Sequence, residues 1–278
     1  QAIYRWLGAD VERFIDYPAE EIVLPKSYRV KREVQNFAQE IIQITKNRIK
    51  KDWEPQEDDG VLKYHQNIES VDLSKGNWLL LGRDKFILNK LEETCRDQGL
   101  WYEKQERKNI IKPISQKMFD AIIGWNELKD GNMIDKKTIK KVFFYKKVSE
   151  RYEQEIDLMN DKHLYDLDTL TILFGPFSVG EWYQSLDKIN VQDRAYLLRL
   201  SLNEENIANK PRIKISTIHA AKGGECDKVL LTTDMNIKTY QSYQKDSDDE
   251  QRVFYVGATR AKEELHVLLP QTTMHFKL

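Results

Sequence analysis

Cysteine is nearly absent from this chain: Cys95 and Cys226 are the two in 278 residues. So isolated a pair excludes a disulfide framework and a cysteine metal site, and it predicts a reducing, cytoplasmic setting. No apolar run approaches the ~20 residues that a membrane helix needs, and no secretory signal opens the chain. No partner in a membrane is therefore expected. The phosphate cradle G-x-x-x-x-G-K-[ST] occurs nowhere. His65, His163, His266 and His275 are scattered without H-E-x-x-H or Cys/His spacing, so no metal site is expected, and no Gly-x-Ser-x-Gly elbow stands out. An excess of one charge is also missing. The net charge of −1 does not advertise a nucleic-acid binder, yet screening confines fields to about 8–10 Å, so a local basic groove stays possible.

What is present is an ordinary globular composition, 40% hydrophobic and 32% charged, long enough for one large or two modest domains. EEIVLP before Lys26 is a short apolar run ended by Pro25. Apolar residues at helical spacing predict a helix over 29–49, from Val34, Phe37, Ala38, Ile41 and Ile42 onward. VLKYH at 61–65 and WLLLG at 78–82 read as strands, the second apolar enough to be buried in a parallel sheet. A helix over 84–98 follows, closed by Gly99. From Arg212 the β-type runs RIKISTI, KVLLTTD and ELHVLLP return, with a helix over 248–262 between the last two. This alternation predicts an α/β fold, a parallel sheet with helices on both faces.

Between about Asn109 and Lys210 helical runs dominate, over 115–128, 138–158, 179–189 and 192–202. They predict a mostly helical inserted domain at 109–210, splitting an α/β domain at 21–108 and 211–278, with 1–20 as a linker. Lys136 to Lys147 holds six lysines and no acid, followed by an acidic stretch. Either it contacts a nucleic-acid backbone, or it is a solvated helix paired with neighbouring acids, which is the reading preferred here.

Four runs carry candidate chemistry. In YVGATRAK, small residues precede Arg260, whose planar donor fork matches phosphate oxygens and cannot lose its charge. ISTIHAAKGGE places Thr217 and His219 at period two on a strand, then Lys222, Gly223 and Gly224 in a phosphate-compatible turn, then Glu225. LPKSYRV supplies Tyr28 and Arg29. QAIYRWLGAD opens the chain on Gln1 rather than Met and carries Tyr4 and Trp6, which predicts the C-terminal part of a longer protein. Arg83 and Asp84, after WLLLG, are weaker candidates. Each residue alone has a bland alternative: a surface arginine, a core histidine, core aromatics.

In order and spacing these runs resemble the late motifs of UvrD-like superfamily 1 DNA helicases. The resemblance covers roughly residues 1–35, 77–100 and 212–270. It implies the second RecA-like domain of a helicase, with an inserted accessory domain. By that likeness Gln1, Arg29 and Arg260 would act at the γ-phosphate, Tyr28 would stack on adenine and Glu225 would bind ribose. Lys222 and Gly223 would complete the ATP contacts. Tyr4 and Trp6 would stack on single-stranded bases, while Thr217 and His219 would touch the nucleic-acid backbone. Departures are Leu7 for an arginine, Ser27 for an asparagine, and Gly224 and Cys226 for leucine and phenylalanine. The implied cofactors are ATP and Mg2+, the metal held mainly by a first RecA-like domain. Single-stranded DNA, its junctions with duplex and that first domain are the implied partners, with 3′ to 5′ movement. This chain alone is expected not to hydrolyse ATP. The alternatives are a DNA-stimulated ATPase without processive unwinding and a nucleic-acid-binding module.

Overall fold

The structure is a computed structural model describing all residues except 1, 2, 5–7, 9–12, 14, 15, 21, 23, 24, 47, 49–52, 107, 108, 148–150, 177 and 178. The chain divides into two compact units, residues 1–111 with 203–278, and residues 112–202.

The first unit is α/β. Its strands are β1 (Val61–His65), β2 (Trp78–Gly82), β3 (Tyr102–Glu106), β4 (Asn109–Ile111), β7 (Ile213–Thr217), β8 (Cys226–Thr232) and β9 (Ala261–Leu268). They form one seven-stranded sheet in the order β1-β9-β8-β2-β7-β3-β4. All neighbours are parallel except β3 and β4. Alternation along the strands separates two faces. Leu79, Leu81, Val229, Leu231, Leu265 and Val267 join one core with Val34, Phe37, Ala38 and Ile41 of helix α1 (Arg32–Gln43). Val253, Phe254 and Val256 of a second helix complete that core, and Phe254 stacks on Phe276 at 4.1 Å. On the other face, helix α2 (Lys85–Asp97) lies against β2 and β7. There Ile87 and Leu88 close over Gly82, where a Cβ would sit 3.0 Å from each. Burying each large apolar side chain in these cores contributes about 1.5–3 kcal/mol.

The predicted helix over 29–49 is shorter, because Tyr28 to Val30 form a bend and Lys31 is extended. The buried Ser27 hydroxyl accepts from the Val30 N–H at 3.1 Å and fixes that bend. Strands β3 and β4 were not predicted individually. In β3 the buried side chains include Glu103 and Lys104, so the run YEKQE does not read as apolar. The last helix stops at Ala258 and β9 begins by Ala261, sooner than the predicted end at 262.

The second unit holds α3 (Gln116–Lys129), α4 (Lys136–Tyr145), α5 (Arg151–Leu158), α6 (Leu167–Phe174), α7 (Trp182–Ser185) and α8 (Val191–Leu202). A two-stranded ribbon, β5 (Ile134–Asp135) with β6 (Leu164–Tyr165), accompanies them. The single helix predicted over 138–158 is two, because the chain turns extended at Lys146. That ammonium is buried, donates to the Ser185 carbonyl and lies 4.6 Å from the Trp125 ring centroid. The predicted helix over 179–189 shrinks to α7, since Ser185 Oγ donates to the Gly180 carbonyl and ties the segment into a turn. The lysine run is paired with acids: Lys136 with Asp161 at 2.9 Å, Lys140 with Asp157 at 2.6 Å, Lys141 with Asp120 at 2.5 Å.

Helices α9 (Ile237–Lys245) and α10 (Asp248–Ala258), in the first unit, bring the chain back to β9. No helix among the described residues is long and apolar enough to cross a membrane.

Candidate nucleotide and nucleic-acid sites

A parallel sheet has two rims, and the candidate residues divide between them. The amino rim carries Glu225, just before β8, and Arg260, just before β9. Helix α10 runs back across the sheet to deliver Arg260, and it packs closely because Gly257 leaves no side chain: a Cβ there would meet Leu231 Cδ1 at 2.9 Å. The small-residue neck ahead of Arg260 therefore has a steric cause.

Arg260 is 3% exposed. Its Nε donates to the Val256 carbonyl at 2.9 Å, one terminal nitrogen to the Gly224 carbonyl at 3.0 Å, the other to Thr259 Oγ1 at 3.1 Å. A guanidinium has five N–H donors, so those three bonds aim the fork without exhausting it. Burial, then the nearby Arg29 charge, pushes Arg260 down to about 10, partly offset by Glu225 and Tyr255. It remains a cation at neutral pH. Arg29, in the bend before α1, reaches Glu225 at 3.8 Å, and its Nε is buried without a hydrogen-bond partner. Two guanidiniums thus lie near one carboxylate, which leaves a net positive spot suited to an anion. Beside them Tyr28 is 81% exposed, an open aromatic face.

The carboxyl rim holds a cleft of about 1050 Å³. Tyr4, Thr217 and His219 line it, together with Arg83, Glu250 and Lys238. The expectation that Thr217 and His219 share a strand face is corrected: β7 ends at Thr217. The Thr217 hydroxyl accepts from the Ala220 N–H at 3.1 Å, which folds the following residues into a turn. His219 stands in that turn and still faces the cleft. Burial, then the Arg83 charge, pushes its imidazole down to about 4, so it is neutral at pH 7. Tyr4 donates its hydroxyl to the His219 carbonyl at 2.8 Å. The Lys222 ammonium lies 5.0 Å from the Tyr4 ring centroid, so it sits beside that aromatic, while Gly223 makes the turn beyond it with φ +93°. Gln1 and Trp6, and the departure at Leu7, lie outside the described residues.

Sequence reasoning missed Glu250. It takes Arg83 in a two-bond pair, at 2.6 Å to Nε and 2.7 Å to a terminal nitrogen. The run of acids at the start of α10 reads as helix-dipole complement, and nothing in it marks one member as buried. Among the described residues no group of three or more His, Cys, Asp or Glu side chains could hold a metal ion.

Comparison with known proteins matches residues 179–272 to the UvrD-like helicase C-terminal domain. The ATP-dependent DNA helicase PcrA of Bacillus subtilis (strain 168) is 23% identical over 369 aligned positions, covering 96% of this chain and 49% of that protein. The chain spans about half the length of the curated relative it matches. Residues 179–272 are thereby identified as a UvrD-like helicase C-terminal domain, and the chain is similar to the C-terminal part of UvrD/PcrA-like helicases.

Proposed function

We propose that this chain is the C-terminal motor part of an ATP-dependent DNA helicase or translocase, completing an ATP site with one rim of its sheet and gripping single-stranded DNA with the other. The observation that carries the reading is the meeting of Arg29, Glu225 and Arg260, from three separate segments, at the amino rim. In this reading the first unit is the second RecA-like domain and the helical unit an accessory domain.

At the amino rim Tyr28 offers its exposed ring to the base and Glu225 accepts from ribose hydroxyls. Arg29 and Arg260 bind γ-phosphate oxygens; a γ-phosphate role for Gln1, outside the described residues, rests on the likeness to UvrD-like helicases alone. Arg260 is held by backbone carbonyls, so it needs little reorganisation as negative charge develops, the condition for electrostatic stabilisation. The phosphate cradle and the ligands of Mg2+ come from an N-terminal RecA-like domain, so this chain alone does not hydrolyse ATP. At the carboxyl rim Tyr4 stacks on bases, a role the likeness extends to Trp6 outside the described residues, and Thr217 and neutral His219 contact backbone phosphates as hydrogen-bonding groups, not as cations. Stacking ignores sequence, as movement along a strand requires. The 3′ to 5′ direction rests on the likeness to UvrD-like helicases alone.

The test is single-strand-stimulated ATP hydrolysis and strand displacement by the longer protein that carries this chain. Both activities present supports a helicase. Hydrolysis without displacement points to a DNA-stimulated ATPase, and neither, with strand binding kept, to a binding module.

A further inference from the structure

The first turn of α10 is built from polar side chains that are nevertheless buried: Asp248 at 5%, Glu250 at 6% and Gln251 at 4% exposure. Burying such groups is costly unless each is answered. Each one is, with partners from outside the helix beside the Arg252–Asp248 pair within it. Thr45 Oγ1 donates to Gln251 at 3.0 Å, and the Lys46 N–H donates to the Asp248 carboxylate at 3.1 Å. Arg83, at the end of β2, takes Glu250.

These ties join the C-terminal end of α1 to the N-terminal end of α10 at the carboxyl rim. The opposite ends of the same two helices emerge at the amino rim, where Lys31, just before α1, pairs with Glu263 at 2.6 Å. Arg29 precedes the one helix and Arg260 follows the other. The pair is a two-pronged fork with an arginine on each prong. Its base is bolted to the wall of the cleft by the Arg83–Glu250 pair, the link between that base and β2.

We propose that Arg83 is a positioning residue acting through Glu250, coupling occupancy of the cleft by single-stranded DNA to the placement of Arg29 and Arg260. The proposal rests on the function proposed above. Arg83 faces the cleft, but its guanidinium is spent on a carboxylate whose side chain is 8% exposed. A phosphate that took the guanidinium would strand that carboxylate in the interior, an unfavourable exchange. Arg83 therefore holds the fork while other groups hold the strand.

Arg83→Gln alone strands Glu250 and endangers folding, so the informative variant is the double Arg83→Gln/Glu250→Gln, in which two amides replace the ion pair. The charge swap Arg83→Glu/Glu250→Arg serves as rescue. An oligothymidine is titrated into the full chain while anisotropy reports affinity and hydrogen exchange reports residues 28–31 and 255–260. We expect affinity of the double variant within about threefold of the unaltered chain and an unchanged salt slope. The DNA-dependent change in exchange at both arginine segments is lost in that variant and restored by the swap. A salt slope lower by about one, with weaker binding, would make Arg83 a phosphate contact and overturn the proposal. An exchange response equal to that of the unaltered chain would overturn it too. If the unaltered chain binds no oligothymidine, the reading of the cleft fails and takes this proposal with it, a result separable from the other two.

Discussion

The two rims of the sheet treat charge in opposite ways. At the carboxyl rim every acid in the cleft wall is answered internally. Arg83 holds Glu250. Asp84 accepts from the Asn236 N–H at 2.7 Å, Asp249 pairs with Arg252 at 2.9 Å, Asp246 accepts from the Asp248 N–H at 3.2 Å and Glu106 lies 3.6 Å from Lys104. At the amino rim Arg29 lies 3.8 Å from Glu225, and the Arg29 charge acts on the nearby Arg260 guanidinium. Like charges held together by the fold, one with a buried donor unmet, store repulsion that an arriving anion relieves. The carboxyl rim offers an aromatic, a hydroxyl and a neutral imidazole alongside the lysines Lys85 and Lys238. On the function proposed above, the phosphate that demands strong electrostatics would bind at the amino rim, and the strand, released at each step, where contacts are weaker and replaceable.

The largest expected effect breaks the carboxyl rim. Glu250→Ala removes both short bonds to Arg83, whose side chain is 17% exposed, and leaves it Asp84 at 3.7 Å, so it should destabilise the chain by roughly 2–4 kcal/mol in denaturant unfolding. A change under about 1 kcal/mol would mean the pair is a surface contact and the contrast is overdrawn. Tyr4→Ala should weaken single-strand binding by about 1–3 kcal/mol, roughly 5- to 150-fold, read by anisotropy with no loss of fold. Gly257→Ala pushes a methyl against Leu231 and should cost about 1–3 kcal/mol, shifting Arg260 with it. Thermal unfolding checks the first part, and a stabilised variant would deny the close packing.

His219 gives the smallest effect and the cleanest contrast with the arginines. Its folded value near 4 lies below the ordinary 6.5, so between those values the unfolded chain binds the extra proton and the folded chain does not. That contribution to stability is complete above about pH 6.5 and is lost as pH falls toward 4. Imidazole resonances followed by NMR should show no titration of His219 between pH 8 and 6, and single-strand affinity should gain nothing from a charged His219 over that range. A titration near 6.5 would mean that His219 is not desolvated in the wall of the cleft and would contradict its role as a neutral hydrogen-bonding group.

Much of the fold is legible because apolar strands advertise themselves: β2, β7, β8 and β9 coincide with runs whose buried members are mostly Leu, Ile and Val. β3 hides because its buried side chains include Glu103 and Lys104, and Lys104 is answered by Glu92 at 2.7 Å. β4 hides because all of its residues are exposed at the sheet edge. Arg260 could be picked out from its neck of small residues, a local signal. That Arg29 meets Glu225 across 196 positions of chain could not, since period and composition carry no information on which rim a loop returns to. Only the likeness to known helicases paired them. The Glu250 tie was invisible for a related reason: the burial of Glu250 depends on a partner at position 83.

The measurement that tests the division most directly is Arg260→Ala in the longer protein, scored at once for strand-stimulated ATP hydrolysis and for single-strand affinity. The account predicts a fall in turnover on the order of 10³-fold, as for other arginines at a transferring phosphate, with strand affinity unchanged. Unchanged turnover, or a parallel loss of strand binding, would contradict the assignment of the two rims.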